Sequence, residues 1–223
     1  MKQVGGVWLP DDETHMIDVM LGPKKRIVGG CATYQYNKLT AAMKVVPERR
    51  RRRCIDVGAH CGTWSMHLVK LFRHVDAFEP VPAHRDCYVR NVGGAAGGRS
   101  YSLWPMALGD NPGRVGIVEV PASTGSAHVR GAGDIEMRTL DSFGFDEVDL
   151  IKIDVEGLEL AVCRGAADTI RRNRPVMIVE QKGREVTNYA EQTRDLAVSW
   201  LERTLGMKRL SVISGDWIMG WPG

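Results

Sequence analysis

Residues 54–62 read CIDVGAHCG, a short apolar run with Asp56 near its end, followed by two glycines four positions apart. Residues 63–72 then carry apolar side chains at helical spacing, so the order is strand, glycine loop, helix. Glycines in such a loop let the backbone approach a ligand, and a helix N-terminus offers N–H groups to an anion. The pattern therefore predicts a nucleotide-like ligand, with a structural tight turn as the alternative.

The region around this loop alternates short apolar runs with helical patterns, as a parallel sheet with crossover helices requires. Helices are predicted over residues 63–72 and 158–172, and a further amphipathic helix over residues 36–46. The predicted strands are residues 54–57, 75–78, 101–104, 150–155 and 176–179, with a terminal hairpin of residues 208–213 and 216–221. We therefore predict an α/β fold with a doubly wound, mostly parallel sheet.

Composition narrows the class of protein. The 223 residues include 30 Lys and Arg against 27 Asp and Glu, a formal charge of +3, which does not by itself indicate a nucleic-acid binder. No run of about 18 apolar residues exists, so we expect no membrane anchor and a cytoplasmic location. The five cysteines form no CxxC pair, which favours reduced thiols. One domain over residues 1–223 is expected, with a helical cap over residues 1–53.

Three stretches fall outside this alternation. The run ERRRRR ends at residue 53 and is either a basic docking patch or, as we prefer, a solvated turn. Residues 93–98 are glycine-rich and predict a flexible connector. Residues 123–128 follow an alternating segment and predict the exposed tip of a hairpin. We expect this tip and the helix around Tyr36 to border the opening for a second substrate.

Charged residues mark two further strand ends. Glu79 lies 23 residues beyond Asp56, where doubly wound folds place a carboxylate that binds both hydroxyls of a ribose. Lys152, Asp154 and Glu156 alternate along a predicted strand and therefore share one face. Charge concentrated there is costly unless it serves a site in the crevice at the strand ends. A structural Lys–Asp pair is the alternative.

These motifs together resemble the FkbM-type family of S-adenosylmethionine-dependent methyltransferases. The matching segments are CIDVGAHCG (54–62), AFEPVPAH (77–84), ALGD (107–110), TLDSF (139–143), IKIDVEGLEL (151–160), RGA (164–166) and RPVMIVE (174–180). His60 stands where the family commonly has Asn. The first 50 and last 40 residues resemble those of small members from phages and marine microbes.

The resemblance implies a class I methyltransferase with a seven-stranded sheet whose last strand is antiparallel, and with S-adenosylmethionine across the ends of the first strands. Glu79 would bind the ribose, and Asp154 would lie near the transferable methyl group. The cofactor-binding residues that it implies are Asp56, Gly58, Ala59, His60, Gly62, Glu79, Pro80, Val81, Met106, Ala107 and Leu108. The family is associated with O-methylation, which predicts a hydroxyl on a sugar, a nucleotide or a small molecule as acceptor.

A hydroxyl acceptor needs a group that removes its proton, and the candidates are Asp154, Glu156 and His60. By position, Asp154, Glu180 and Gln181 also resemble the metal ligands of catechol-type O-methyltransferases. Oxygen ligands suit Mg²⁺, which makes it a second candidate cofactor. His128 is a further possible base, with an exposed hairpin residue as the alternative. The other four histidines are predicted on helix or loop surfaces: His15, His67, His74 and His84.

Two other classes of function stay open. An NAD(P)-dependent oxidoreductase would bind a dinucleotide, but that fingerprint reads GxGxxG and this loop reads GxxxG. A non-catalytic domain could keep the nucleoside pocket for binding alone, although acidic residues at three strand ends favour catalysis. The sequence predicts neither the oligomeric state nor the identity of the acceptor.

Overall fold

A computed structural model describes residues 1–181 and 196–222, so part of the predicted 1–223 domain, residues 182–195, lies outside the described residues. Seven strands form the central sheet: β1 (Arg53–Val57), β2 (His74–Phe78), β3 (Ser100–Trp104), β4 (Val148–Ile153), β5 (Val176–Glu180), β6 (Lys208–Ile213) and β7 (Asp216–Gly220). Their order is 3-2-1-4-5-7-6, and β7 runs antiparallel to both of its neighbours. The predicted sheet, with its antiparallel last strand, is confirmed.

Helices cover the sheet on both faces. They are α1 (His15–Leu21), α2 (Tyr36–Met43), α3 (Ser65–Leu71), α4 (Pro82–Ala96), α5 (Glu159–Arg164), α6 (Ala167–Asn173) and α7 (Leu196–Leu205). The predicted helix over residues 158–172 is two helices. The chain turns at Gly165, where a Cβ atom would lie 2.0 Å from the carbonyl oxygen of Gly109. None of the described helices has both the length and the apolar composition needed to cross a membrane.

The predicted glycine connector over residues 93–98 is wrong for its first four residues. Helix α4 continues to Ala96 and ends at Gly97, which has a left-handed φ of +55°. Glycine ends helices in this way because it lacks the Cβ atom that makes a left-handed φ costly.

The first 53 residues are not only helical, as the cap was predicted to be. Besides α1 and α2 they form two short hairpins, Lys2–Val4 with Val7–Leu9 and Ile27–Val28 with Cys31–Ala32. Gly5 and Gly6 have positive φ at the first hairpin turn, and Gly29 and Gly30 at the second. Strands of only two or three residues are too short to show a periodic pattern of apolar residues, so the sequence did not predict these hairpins.

The sheet separates two hydrophobic cores. On one face, Cys54, Val75 and Leu150 pack with the N-terminal region and with α3 and α4. On the other face, Ile151 and Ile153 pack with α5, α6 and α7. The predicted alternation along β4 is therefore observed. It places the side chain of Lys152 on the face that the N-terminal region covers.

The arginine run is not a solvated turn, because most of its side chains have partners within the protein. Arg50 and Arg52 bind the buried carboxylate of Asp149 at the start of β4, with N–O distances of 3.0 and 2.7 Å. Arg53 binds Asp76, and Arg51 donates hydrogen bonds to the carbonyl groups of two residues near the end of α2. Four of the five arginines thus attach the start of β1 to its neighbours.

Asp149 should stabilise the fold in a pH-dependent way. Burial alone would raise the pKa of Asp149, but hydrogen bonds from Arg52 and Arg50 lower it below its ordinary value. We expect Asp149→Asn to lower the free energy of unfolding by about 3 kcal/mol near neutral pH, as for other disrupted buried ion pairs. This loss should shrink below about pH 4, where the unfolded carboxyl group and then the folded one become protonated.

Urea unfolding of wild type and variant across this pH range measures the difference. Asp146→Asn is the matched control, because its partner Arg172 and Asp146 itself are largely exposed. Equal loss of stability in the two variants would contradict the role of Asp149.

Candidate active site

Two adjoining clefts open at the C-terminal ends of β1, β2 and β4. Counted with the part open to solvent, their volumes are about 580 and about 590 Å³. The residues that line both are Gly58, His60, Gly125, Asp154 and Glu156. Two ligands, one in each cleft, would therefore meet at the end of β4. We call the space that Glu79 lines the first cleft and the space that Glu180 lines the second cleft.

The first cleft contains most of the residues predicted to bind a cofactor. Those that line it are Gly58, His60, Glu79, Pro80, Val81, Met106, Ala107 and Leu108. Ala59 lines the second cleft, whereas Asp56 and Gly62 line neither. The structure thus brings together eight of the eleven predicted residues around one space with largely apolar walls.

Glu79 is held rigidly at the rim of the first cleft. Its Oε2 accepts a hydrogen bond from the backbone N–H of His60 at 2.8 Å, and its Oε1 from that of Val81 at 2.9 Å. His84 Nδ1 lies 3.2 Å from Oε1. Burial alone would raise the pKa of Glu79, but these donors, with His84 foremost, lower it below the ordinary value. The carboxylate is therefore ionised and fixed in place.

His84 is a functional residue that the sequence prediction missed. It was predicted on a surface, yet it is buried, with 2% of its surface exposed, and contacts both Glu79 and His60. The available signal was its position in the first turn of α4, five residues after Glu79, where a helix brings a side chain back over the preceding strand end.

The two loop glycines are packed closely against other parts of the protein. Gly58 has a φ of +74°, and a Cβ atom there would lie 1.8 Å from the carbonyl oxygen of Asp154. Gly62 has a φ of +76°, and its Cβ atom would lie 2.8 Å from the ring of Tyr88. The N–H groups of Gly58 and Ala59 both donate to the carbonyl oxygen of Phe78. Both glycines therefore serve close packing, and Gly58 also lines both clefts.

Lys152 is a buried ammonium group between β1 and β4. Its Nζ lies 3.2 Å from Asp56 and 3.5 Å from Asp154, and it donates to the carbonyl oxygen of Gly58. Burial would lower the pKa of Lys152, but the two carboxylates raise it above the ordinary value, so the lysine is charged. Asp56 also accepts a hydrogen bond from Ser65. Asp56 is thus a structural partner of Lys152, and Asp154 is the carboxylate at the junction of the clefts.

Three carboxylates face the second cleft. One oxygen each of Asp154, Glu156 and Glu180 lies within 4.8 Å of the others. Gln181, predicted as a metal ligand, instead accepts a hydrogen bond through its amide oxygen from the backbone of Val198. Glu156 takes its place in the cluster.

A second buried lysine, Lys38 of α2, lies behind this cluster. Its Nζ is 2.6 Å from Asp216 at the start of β7 and 3.8 Å from Glu180. Burial raises the pKa of Asp216 to about 6, although Lys38 acts in the opposite direction. Sequence patterns did not indicate this pair, because its members are far apart in the chain and each looks like an ordinary polar residue.

The hairpin tip is only partly exposed, which corrects the prediction in part. Ile117–Val118 pairs with His128–Val129, and the tip between them folds over the clefts with Thr124 buried. Ser123 and Ser126 of this tip and Tyr34 of the N-terminal region line the second cleft. Both segments therefore border the second cleft, and whether it admits the acceptor stays a prediction.

His60 lies at the junction in a left-handed conformation, with a φ of +50°. Its Nε2 is 2.9 Å from the hydroxyl oxygen of Thr124, and its ring contacts that of His84 with centroids 4.1 Å apart. Burial, and next His84, lower the pKa of His60 to about 3. A group this acidic is a weak general base near neutral pH, so the carboxylates are the stronger candidates for proton removal.

Glu159 is a further residue that the sequence prediction missed. Its Oε1 accepts hydrogen bonds from the backbone N–H groups of Gly157 and Val155. These bonds hold the loop after β4, in which Glu156 adopts a φ of +50°. Glu159 therefore positions both carboxylates at the junction without facing the clefts itself.

Comparison with known proteins agrees with this arrangement. A family model described as the methyltransferase FkbM domain matches residues 56–203. A methyltransferase from Geobacter sulfurreducens has a similar fold, with 10% identity, a TM-score of 0.52 and 85% of this chain aligned to 79% of that one. The fibrillarin/Nop5p complex contains a chain with 16% identity, a TM-score of 0.53, and coverage of 88% and 87%.

A methyltransferase FkbM from Methylobacillus flagellatus KT is also similar, with 19% identity and a TM-score of 0.48. The alignment covers 76% of this chain and 43% of that chain, so this chain spans less than half of its length. No curated protein sequence matches the chain.

The close approach of Gly58 to Asp154 can be tested by adding one methyl group. We expect Gly58→Ala to lower the free energy of unfolding by more than about 3 kcal/mol, because it combines a left-handed φ with a severe backbone clash. Gly97→Ala is the matched control, since Gly97 also has a positive φ but has no atom near the position of a Cβ. It should cost only about 1 kcal/mol. Similar losses in both variants, measured by chemical unfolding, would show that packing against Asp154 is unimportant.

Proposed function

The chain belongs to the FkbM methyltransferase family, and on this premise we propose that it transfers a methyl group from S-adenosylmethionine to a hydroxyl group of a neutral, polar acceptor. The observation that carries the proposal is the pair of clefts that meet at Asp154 and Glu156. One cleft suits a nucleoside and the other suits a hydroxyl-rich molecule. A two-substrate transfer needs such a junction, because positioning supplies most of its rate enhancement.

The first cleft has the chemistry that an adenosine group requires. Val81, Met106 and Leu108 contribute apolar surface that can pack against an adenine ring. Glu79 offers an ionised carboxylate at the strand end where the ribose hydroxyls of bound nucleosides are accepted. Hydrogen bonds to a charged group contribute more than neutral ones, so Glu79 is the main polar anchor of this cleft.

The second cleft favours an acceptor without negative charge. Asp154, Glu156 and Glu180 line it together with one ammonium group, that of Lys152. Carboxylates accept hydrogen bonds from hydroxyl groups, whereas they repel phosphate or carboxylate groups. A neutral sugar or similar polyol therefore fits this cleft better than a nucleotide, which was one of the acceptors expected from the sequence.

Asp154 is the residue best placed to act on the acceptor hydroxyl. S-adenosylmethionine, when bound, supplies an electrophilic methyl group on a sulfonium sulfur. The hydroxyl that receives this methyl group must lose its proton, and the side chain of Asp154 lies at the junction with 19% of its surface exposed. Lys152 holds Asp154 in place, and Glu156 supplies a second carboxylate beside it.

The positions of Tyr34 and Lys38 in the N-terminal region argue against the oxidoreductase alternative. Tyr34 and Lys38 do have the four-residue spacing of a Tyr–Lys catalytic pair. However, the ammonium group of Lys38 is buried against Asp216 at 2.6 Å and is not among the residues that line either cleft. The family assignment and the GxxxG loop both favour methyl transfer.

Mg²⁺ stays a prediction. The carboxylates of Asp154, Glu156 and Glu180 are the residues that would hold such an ion, through oxygen atoms of the kind it prefers. Lys152 and Lys38 already supply positive charge on either side of them, so the cluster is stabilised without a metal.

Glu79 should determine affinity for the cofactor. We expect Glu79→Gln to weaken binding of S-adenosylhomocysteine by about tenfold or more, because the charge-assisted hydrogen bonds to the ribose would be lost. Isothermal titration calorimetry measures this, with Glu136→Gln, at an exposed position, as the control. Unchanged affinity in Glu79→Gln would remove this residue from the site.

Asp154 should matter to chemistry more than to folding. In Asp154→Asn, Lys152 keeps Asp56 as its partner, so we expect nearly unchanged melting, with methyl transfer slower by about 10²–10⁴-fold. Asp56→Asn is the contrasting variant, since it should lower the melting temperature by removing the nearest partner of a buried charge. Transfer from radiolabelled S-adenosylmethionine to a panel of neutral sugars gives the rates.

Treatment with EDTA, followed by Mg²⁺, then separates a metal ligand from a base. Loss of the wild-type rate with EDTA and rescue by Mg²⁺ would assign Asp154 to a metal site. A rate that EDTA leaves unchanged would assign it to proton removal. An Asp154→Asn protein that transfers methyl groups at the wild-type rate would contradict both roles.

A further inference from the structure

A chain of hydrogen bonds joins the N-terminal region to the loop after β1. Glu13 is completely buried, and its Oε1 accepts a hydrogen bond from the backbone of Met16 at 2.7 Å. Its Oε2 lies 2.8 Å from the backbone nitrogen and 2.5 Å from the hydroxyl oxygen of Thr124. The same hydroxyl oxygen is 2.9 Å from Nε2 of His60. Three segments far apart in the sequence are thus linked through one threonine.

The chemistry of these groups sets the direction of each bond. A threonine hydroxyl has a single proton, and both oxygens of Glu13 already act as acceptors, since Oε1 accepts the backbone N–H of Met16 and Oε2 that of Thr124. The hydroxyl proton of Thr124 therefore points to Glu13, and its oxygen accepts a hydrogen bond from Nε2–H of His60. Sγ of Cys61 lies 3.8 Å from the same nitrogen and is then a second, weaker acceptor. A neutral imidazole carries one proton, so Nδ1 of His60 is left with a lone pair.

This lone pair is available to a ligand. Among residues 1–181 and 196–222, the hydrogen bonds of His60 involve its backbone N–H and its Nε2, and none involves Nδ1. His60 lines both clefts. The ring stays neutral near physiological pH, because its pKa is lowered to about 3, and so it accepts a hydrogen bond without taking the proton.

We propose that Glu13 and Thr124 are positioning residues that hold His60 in its Nε2-protonated form, so that Nδ1 accepts a hydrogen bond from a ligand at the junction of the clefts. The ligand group is an N–H or O–H donor, either the ammonium group of the cofactor or the hydroxyl group of the acceptor. The identity of the ligand rests on the proposed function, whereas the protonation of His60 does not.

The first experiment measures the tautomer of His60 by ¹⁵N NMR of the free protein, with His60→Asn used to assign the signal. We expect the Nε2-protonated form in the wild type and a mixture in Thr124→Val. Glu13→Gln should favour the Nδ1-protonated form, because the glutamine amide can donate to Thr124 and turn its hydroxyl proton toward Nε2. Thr124→Ser should restore the wild-type spectrum.

Thr14→Val is the matched control. The hydroxyl of Thr14 donates to the carbonyl oxygen of Ala122 at 3.1 Å, so it joins the same two segments without contacting His60. Its loss should leave the tautomer unchanged. A wild-type His60 protonated on Nδ1, or a tautomer that does not respond to Thr124→Val, would overturn the proposal.

The second experiment measures binding by calorimetry. In the wild-type background, Thr124→Val should weaken the affinity for S-adenosylhomocysteine, or slow transfer to the acceptor, by about three- to tenfold. In a protein that already carries His60→Asn, the same substitution should have no further effect. If S-adenosylhomocysteine binding falls and that of 5′-methylthioadenosine, which lacks the ammonium group, does not, the donor is the cofactor ammonium. If both ligands bind as before and only transfer to neutral sugars slows, the donor is the acceptor hydroxyl.

Equal effects of Thr124→Val in both backgrounds would show a merely structural contact and contradict the proposal. Failure of the wild type to bind S-adenosylhomocysteine, with the Nε2-protonated tautomer present, would instead contradict the proposed function.

Discussion

A single buried charge, the ammonium group of Lys152, constrains the whole site. An ion that leaves water for a protein interior is stable only where opposite charges and hydrogen-bond acceptors surround it. Lys152 finds them in Asp56 of β1, in Asp154 at the end of its own strand and in the carbonyl group of Gly58. The loop after β1 must therefore turn inward at Gly58, and Asp154 must stay at the strand end. The two clefts meet where these requirements place the backbone.

The family motifs divide into residues that build the fold and residues that face a ligand. Asp141 of the TLDSF motif accepts hydrogen bonds from the first N–H groups of α6. Gly165 of the RGA motif packs against the backbone of Gly109 in the ALGD motif. By contrast, Glu79 and Asp154 line the first cleft. A residue in a family motif can thus be needed for packing or for contact with a ligand. The contacts in the structure show which of these roles each residue has.

The walls of the second cleft come from segments added to the sheet. The hairpin tip around Thr124 and the N-terminal region around Tyr34 lie over the strand ends, and Glu13 binds the two segments to each other. Side chains on loops can change without disturbing the core that positions them. The strand ends therefore position the motif residues of the first cleft, whereas the added segments shape the second cleft, and the hairpin also contributes to the first.

Local patterns of apolar residues and the order strand, loop, helix predict the α/β fold and the strand-end positions of Glu79 and Asp154, whereas the antiparallel last strand followed from the family resemblance. The motifs also identified the family. The packing of Gly58 and Gly62, the burial of His84 and the partners of the arginine run depend instead on tertiary contacts. Arg52 and Asp149 are 97 residues apart, and Glu13 and Thr124 are 111 residues apart. A contact between such distant residues depends on how the whole chain packs, and no local pattern contains that information.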